Sequence, residues 1–261
     1  SLHECAQQLD VDEDDLQTFF QWFTATDKTV SVFSQGINQS STGVDKGNAI
    51  INAHLATGRI GKPGATPFSV TGQPNAMGGR EVGGLANQLA AHMDFSAREV
   101  DRVRRFWNAP RVVTRPGLKA IDMFDAIKRG EIKFLWIIST NPLVSMPDAD
   151  DVKAALAKCE LVVVSDCMAN TDTTAAAHVL LPAASWGEKN GTVTNSERCI
   201  SRQRSFLSPA GEAKPDWWIL SQVAQRLGFG EAFDYQHPAD IFDEYSRMTG
   251  FENQGERDLD I

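Results

Sequence analysis

Four strand-like segments of this chain each run into residues able to hydrogen-bond a polar ligand. Gln35 and Gln39 follow residues 28–34 (KTVSVFS), Asn141 follows residues 133–139 (KFLWIIS), and Asp166 follows residues 160–165 (ELVVVS). Residues 178–181 (HVLL) lead to Pro182 and soon to Lys189, within WGEK. Amides, one carboxylate and one ammonium are the donors and acceptors that a ligand with a base and a ribose requires. Asp166 stands 25 residues beyond Asn141. In a dinucleotide fold an acidic residue about 20 residues past the phosphate turn takes the ribose hydroxyls. Asp166 fits that role, with a turn or helix cap as the alternative. Asn141-Pro142 stands where a glycine fingerprint would stand, and no GxGxxG occurs, so the pattern is not that of an ordinary nicotinamide dehydrogenase. A P-loop, HExxH and GxSxG are also missing, and the five histidines are scattered. These residues describe a binding face rather than a self-sufficient active site.

The elements that must position them follow from periodicity. Residues 28–34, 133–139, 160–165 and 178–181 read as strands, the last three apolar along their length. Helices are expected over 11–26, 42–57, 81–91, 96–107, 118–129, 148–159, 171–177 and 217–227 from apolar residues at helical spacing, capping residues and Gly stops. Strands apolar on both faces that alternate with helices imply an α/β fold: a parallel, doubly wound, Rossmann-like sheet covered by helices on both faces. Ligands of such sheets bind beyond the carboxyl ends of the strands, which is where the residues above fall. Residues 58–84 hold eleven Gly or Pro and are expected to form an ordered, packed loop without regular structure, because Phe68, Val70 and Met77 do not suit a solvated linker. Residues 191–201 alternate like a hairpin. Residues 1–230 are expected to form the binding domain and 231–261 an acidic C-terminal extension low in core residues.

Composition narrows the partners. The formal net charge is −9 over 261 residues, which argues against nucleic acid. No run of about 18 apolar residues is available to span a membrane. The four cysteines, Cys5, Cys159, Cys167 and Cys199, form no CxxC and read as free thiols in a reducing, cytoplasmic setting. The acidic N-terminus is not a secretory signal. The chain opens on Ser1 rather than Met and reads as a piece excised from a longer polypeptide.

Several stretches taken together resemble a known family: SQGINQ (34–39), NAHLATG (52–58), IGKPG (60–64), PFSVTGQPNAMGGREVGG (67–84), TNP (140–142), VVVSD (162–166), LLPAA (180–184), WGEKNGTVTNSER (186–198) and PAGEAKPDW (209–217). Their order and spacing are similar to the catalytic subunit of molybdenum bis(molybdopterin guanine dinucleotide) oxidoreductases, with the nearest likeness to assimilatory nitrate reductases. The resemblance covers about residues 10–230. It implies Mo-bis(molybdopterin guanine dinucleotide) as cofactor, nitrate as substrate and nitrite as product. It also implies a [4Fe–4S] cluster in the parent protein only, the remaining domains of the parent subunit as partners, and an electron-donor protein or NADH-linked subunit. Through the matching motifs, Gln35, Gln39, Asn141, Ser165, Asp166, Lys189 and Asp216 resemble the family's cofactor contacts, with Ser165 and Asp166 at the guanosine end. Arg80, in GGREVG, resembles an arginine lining the substrate funnel. Segments for the cluster, the molybdenum ligand and a closing barrel are not recognised here, so the chain is expected to be inactive alone. Another member of the class, such as a formate dehydrogenase, and a non-catalytic nucleotide- or pterin-binding module are the alternatives.

Overall fold

A computed structural model describes residues 1–256 and Leu259. The chain divides into two units, Ser1–Pro74 and Asn75–Ile261.

The first unit begins with helices α1 (Leu2–Leu9) and α2 (Glu13–Ala25). Ser1 and Glu4 form a capping box on α1, and the Asp12 carboxylate accepts from the Asp14 amide at 2.8 Å to start α2. Strand β1 (Val30–Phe33) leads through a short helix, α3 (Gln35–Asn38), and a long one, α4 (Gly43–Ala56), to strand β2 (Thr66–Ser69). The strands are parallel, with Val32 opposite Phe68. The expectation of no regular structure over 58–84 is therefore corrected, because β2 lies inside it. Pro67 lacks a ladder donor, which a strand with only one neighbour tolerates.

His54 of α4 is fully buried. Its Nε2 lies 2.8 Å from the Ser31 hydroxyl on β1, and its ring meets Phe23 of α2 edge-on at 5.3 Å. Arg59, also buried, donates to the carbonyls of Thr24 and Thr26 and so caps the end of α2. Burial, reinforced by the Arg59 charge, holds the His54 imidazole below the ordinary value of 6.5. Because the folded state disfavours the protonated ring, the stability from His54 is complete above pH 6.5 and is lost as pH falls towards the folded-state value. Urea midpoints are expected to fall on acidification below 6.5, and His54→Gln is expected to flatten that part of the profile. An unchanged profile in the variant would assign the loss to other groups.

In the second unit, α5 (Ala76–Glu81), α6 (Ala97–Phe106) and α7 (Ala120–Lys128) precede strand β3 (Phe134–Ile138). Then follow α8 (Pro142–Ser145), α9 (Ala149–Lys158), β4 (Leu161–Asp166), α10 (Asp172–Ala175) and β5 (Val179–Pro182). Strands β3, β4 and β5 form one parallel sheet in that order. Leu135 and Ile137 of β3 and Val162 and Val164 of β4 point to one face, where Phe124 and Ile127 of α7 and Val152, Ala155 and Leu156 of α9 bury them. These two helices have the boundaries the sequence indicates: Gly130 takes φ 76° after the end of α7, and the Asp148 side chain caps the start of α9.

An antiparallel hairpin of β6 (Gly191–Thr194) and β7 (Ile200–Gln203) comes next, then α11 (Asp216–Ala224) and α12 (Pro238–Gly250). Met248 of α12 joins Leu89, Met93 and Val103 in a second core, so the acidic tail does contribute apolar burial.

The α/β class with parallel strands flanked by helices agrees with the sequence reading. Those strands are divided between two sheets, β1–β2 and β3–β4–β5. The helix expected over 81–91 is instead α5, ending at Glu81. Gly83 at φ 82° and the positive φ angles of Ala91 and His92 turn the chain away there. Among the described residues no helix is long and apolar enough to cross a membrane.

Candidate functional site

The candidate residues lie at strand ends in both units. In the first, Gln35 and Gln39 are exposed just beyond β1, at either end of α3. The Gln35 side-chain NH2 donates to the Gln73 side-chain oxygen at 3.3 Å, and the Asn38 side-chain NH2 donates to the Ser69 hydroxyl at 3.0 Å. The end of β1 is thus tied to the segment that follows β2.

In the second unit, β3 and β4 deliver Asn141 and Asp166 to the same sheet edge. The chain leaves β3 through Ser139 at φ 54°, and its amide donates to the Ser165 carbonyl at 2.8 Å. Asn141 then sits at the N-cap of α8, and its Oδ1 accepts from the Thr173 hydroxyl at 2.6 Å. This contact orients the Asn141 side chain and leaves its NH2 as the donor. Asp166 is partly exposed, with one oxygen accepting from the Met168 amide at 2.9 Å. It is therefore a turn residue, which leaves its second oxygen to act as an acceptor. Ser165 differs from its neighbour. It is 1% exposed, and its hydroxyl accepts from the Trp136 indole at 2.8 Å.

Lys189 and Asp216 are brought together from 27 residues apart. Beyond β5, Ala183 bridges Lys214, and the Ala184 amide donates to the Lys214 carbonyl at 2.9 Å. The segment ahead of α11 therefore runs alongside the end of β5. Asp216, the first residue of α11, consequently reaches Lys189, with Nζ 2.9 Å from Oδ2. The other Asp216 oxygen is buried without a hydrogen-bond partner. A carboxylate oxygen buried in this state is costly unless a donor is supplied. Arg80 is exposed near the end of α5, and its neighbour Glu81 is buried and turned to the β6–β7 hairpin.

Sequence reasoning missed Thr173, which fixes Asn141, and Trp136, which occupies Ser165. Thr173 lies within TDTTA beside a Thr171 capping box, a signal for a helix start. Nothing in the sequence ties that helix start to Asn141, because the contact spans two connections of the sheet.

A family profile described as molybdopterin oxidoreductase matches residues 2–226. The chain belongs to the molybdopterin oxidoreductase family. Among its relatives, a nitrate reductase of Klebsiella oxytoca is 53% identical over 260 residues, which is 100% of this chain and 30% of the relative. A nitrate reductase of Shewanella frigidimarina is 49% identical over 95% of this chain and 26% of its own length. An F420-dependent formate dehydrogenase subunit alpha of Methanocaldococcus jannaschii is 36% identical over 84% of this chain and 32% of its own length. This molybdopterin oxidoreductase chain thus spans about a third or less of the length of these relatives.

Proposed function

We propose that this chain is the dinucleotide-holding part of a molybdenum-dependent nitrate reductase that converts nitrate to nitrite. The observation that carries the reading is 53% identity along the whole chain to a protein named nitrate reductase.

The donor set suits Mo-bis(molybdopterin guanine dinucleotide). The buried, partnerless Asp216 oxygen calls for N–H donors of the kind a guanine edge presents. Asp166 and Asn141 offer an acceptor and an amide donor at the sheet edge. Lys189 adds a cation for phosphate oxygens, and Ser165 supports the guanosine end from beneath the edge. Gln35 and Gln39 offer exposed amides at the end of β1. When bound, the group supplies two-electron redox chemistry and a metal that accepts an oxygen atom. The residues of this chain bind and orient. Arg80 presents a planar guanidinium, which pairs with a planar anion such as nitrate through two parallel hydrogen bonds. The parent protein would add a [4Fe–4S] cluster, an electron donor and the rest of the substrate funnel, in the cytoplasm. The chain alone would be inactive.

Formate dehydrogenase is the second reading, favoured by the 36% identical relative. Formate is also a planar anion, so Arg80 serves either. The full-length gene product decides between them. It is expected to carry molybdenum by elemental analysis and to form nitrite with a dithionite-reduced viologen dye, and growth on tungstate in place of molybdate should abolish turnover. Formate oxidation without nitrite would replace the nitrate reading. A molybdenum-free product would leave only a binding module.

A further inference from the structure

Residues 75–84 of the motif PFSVTGQPNAMGGREVGG and the motif WGEKNGTVTNSER meet in the fold around one buried residue, Thr194. Thr194 ends β6 and is 5% exposed. Its amide donates to the Asn75 side-chain oxygen at 2.9 Å, and its hydroxyl donates to Glu81 Oε2 at 2.9 Å. Asn75 and Glu81 bracket α5, one at its N-cap and one at its last residue. Arg198, in the hairpin turn, lies 3.7 Å from the other Glu81 oxygen.

The glycines of the first motif permit this approach. A Cβ on Gly78 would stand 2.3 Å from the Asn75 side-chain oxygen, and one on Gly84 would stand 2.7 Å from the Gly79 carbonyl. Gly83, at φ 82°, would meet the Ala90 amide nitrogen at 2.6 Å. The helix is also closed from behind, since the Glu81 carbonyl accepts from the Ala91 amide at 2.7 Å. The Arg80 carbonyl accepts from the Gln88 side chain. Arg80 sits between these fixed points with its own side chain exposed. The opposite end of the clasp is β6, which begins two residues after Lys189.

We propose that Glu81 and Thr194 are positioning residues that hold Arg80 for the substrate anion and fix its place relative to Lys189. The proposal rests on the reading of Arg80 as the anion-binding residue. Glu81 is buried and hydrogen-bonded to a different element, so a rotation of α5 that moves the Arg80 guanidinium must break its bond to Thr194. Without that bond α5 keeps the Asn75 contact, the Gln88 side chain on the Arg80 carbonyl, the longer Arg198–Glu81 pair and its backbone contacts, and it loses its one buried side-chain hydrogen bond to β6 among the described residues.

The test is a double-mutant cycle on the full-length holoenzyme, with Glu81→Gln, Thr194→Val and Arg80→Ala alone and combined. Thr194→Val keeps shape and removes the hydroxyl donor. It is expected to raise KM for nitrate about tenfold while kcat falls less, as misplacement of a binding group does. In the Arg80→Ala background the same substitution should add nothing to KM. Amide exchange of residues 76–82 is read alongside and should quicken in Thr194→Val. An unchanged KM, or effects additive with Arg80→Ala, would overturn the proposal, as would unaltered exchange in α5. A holoenzyme that oxidises formate and does not reduce nitrate would overturn the nitrate reading alone, and the cycle would then be read on formate. A protein that turns over neither anion leaves the exchange measurement to decide the clasp.

Discussion

Lys189→Ala is expected to lower the unfolding free energy by about 2 kcal/mol, more than its partly exposed position suggests. Lys189 and Asp216 side chains are 28% and 25% exposed, and their charged atoms are 2.9 Å apart. Breaking a fully buried pair costs about 3–5 kcal/mol because the remaining charge is stranded, and the residual solvent access here reduces that. The rest of the penalty comes from Asp216, whose second oxygen already lacks a partner. Once the ammonium is gone, neither oxygen has a side-chain donor among the described residues. Asp216→Asn in the same background should recover part of the loss, since a neutral amide is cheaper to leave in place. Urea denaturation of the single and double variants reads the coupling. A change below about 0.5 kcal/mol in Lys189→Ala would mean that the pair is only a surface contact. On the proposed reading of a guanine dinucleotide cofactor, the same substitution in the full-length protein should also lower the guanosine nucleotide released on denaturation. That second readout separates a ligand role from a purely structural one.

The parts of the fold that were legible in the sequence were those governed by local rules. Gly130, Asp148 and the apolar runs at 133–139 and 160–165 each act within a few residues, and the elements they mark formed within a residue of where they were expected, as Phe134–Ile138 and Leu161–Asp166 for the two strands. The helix expected over 81–91 failed for a local reason of the opposite kind. Gly83 and Gly84 interrupt an apparent helical pattern, and their close backbone approaches to Ala90 and Gly79 belong to a tight local turn that periodicity does not reveal. β2 was missed because its register comes from β1, which is 36 residues earlier at Val30 and Thr66. The site shows the same division. The strand-end rule led to Asn141, Asp166 and the two glutamines. The pairing of Lys189 with Asp216 depends on the segment before α11 running alongside β5. The burial of Ser165 depends on a tryptophan from the neighbouring strand. Side chains that act through a partner distant in sequence leave no pattern of their own.

Leu156→Ala is expected to cost about 3 kcal/mol, within the range for a buried leucine truncated to alanine. Leu156 is 1% exposed on α9 and packs in the core with Phe124, Ile127, Val162 and Val164. Two rigid layers, the sheet and α7, limit how far the surroundings can close over the space left behind, so the cavity contribution should persist. Domains of this kind are stable by about 5–15 kcal/mol, so the loss is a large share of the total. The effect should reach the site, because β3 and β4, which this core holds, carry Asn141 and Asp166 at their ends. Amide exchange at residues 139–141 should therefore quicken together with that of the strands. Leu156→Met, which nearly conserves volume, should cost less than about 1.5 kcal/mol. Truncating Leu9, 61% exposed, should change stability by less than about 0.5 kcal/mol. A Leu156→Ala loss as small as that of Leu9→Ala would mean that α9 can settle onto the sheet, and that the strand ends are not held by this layer.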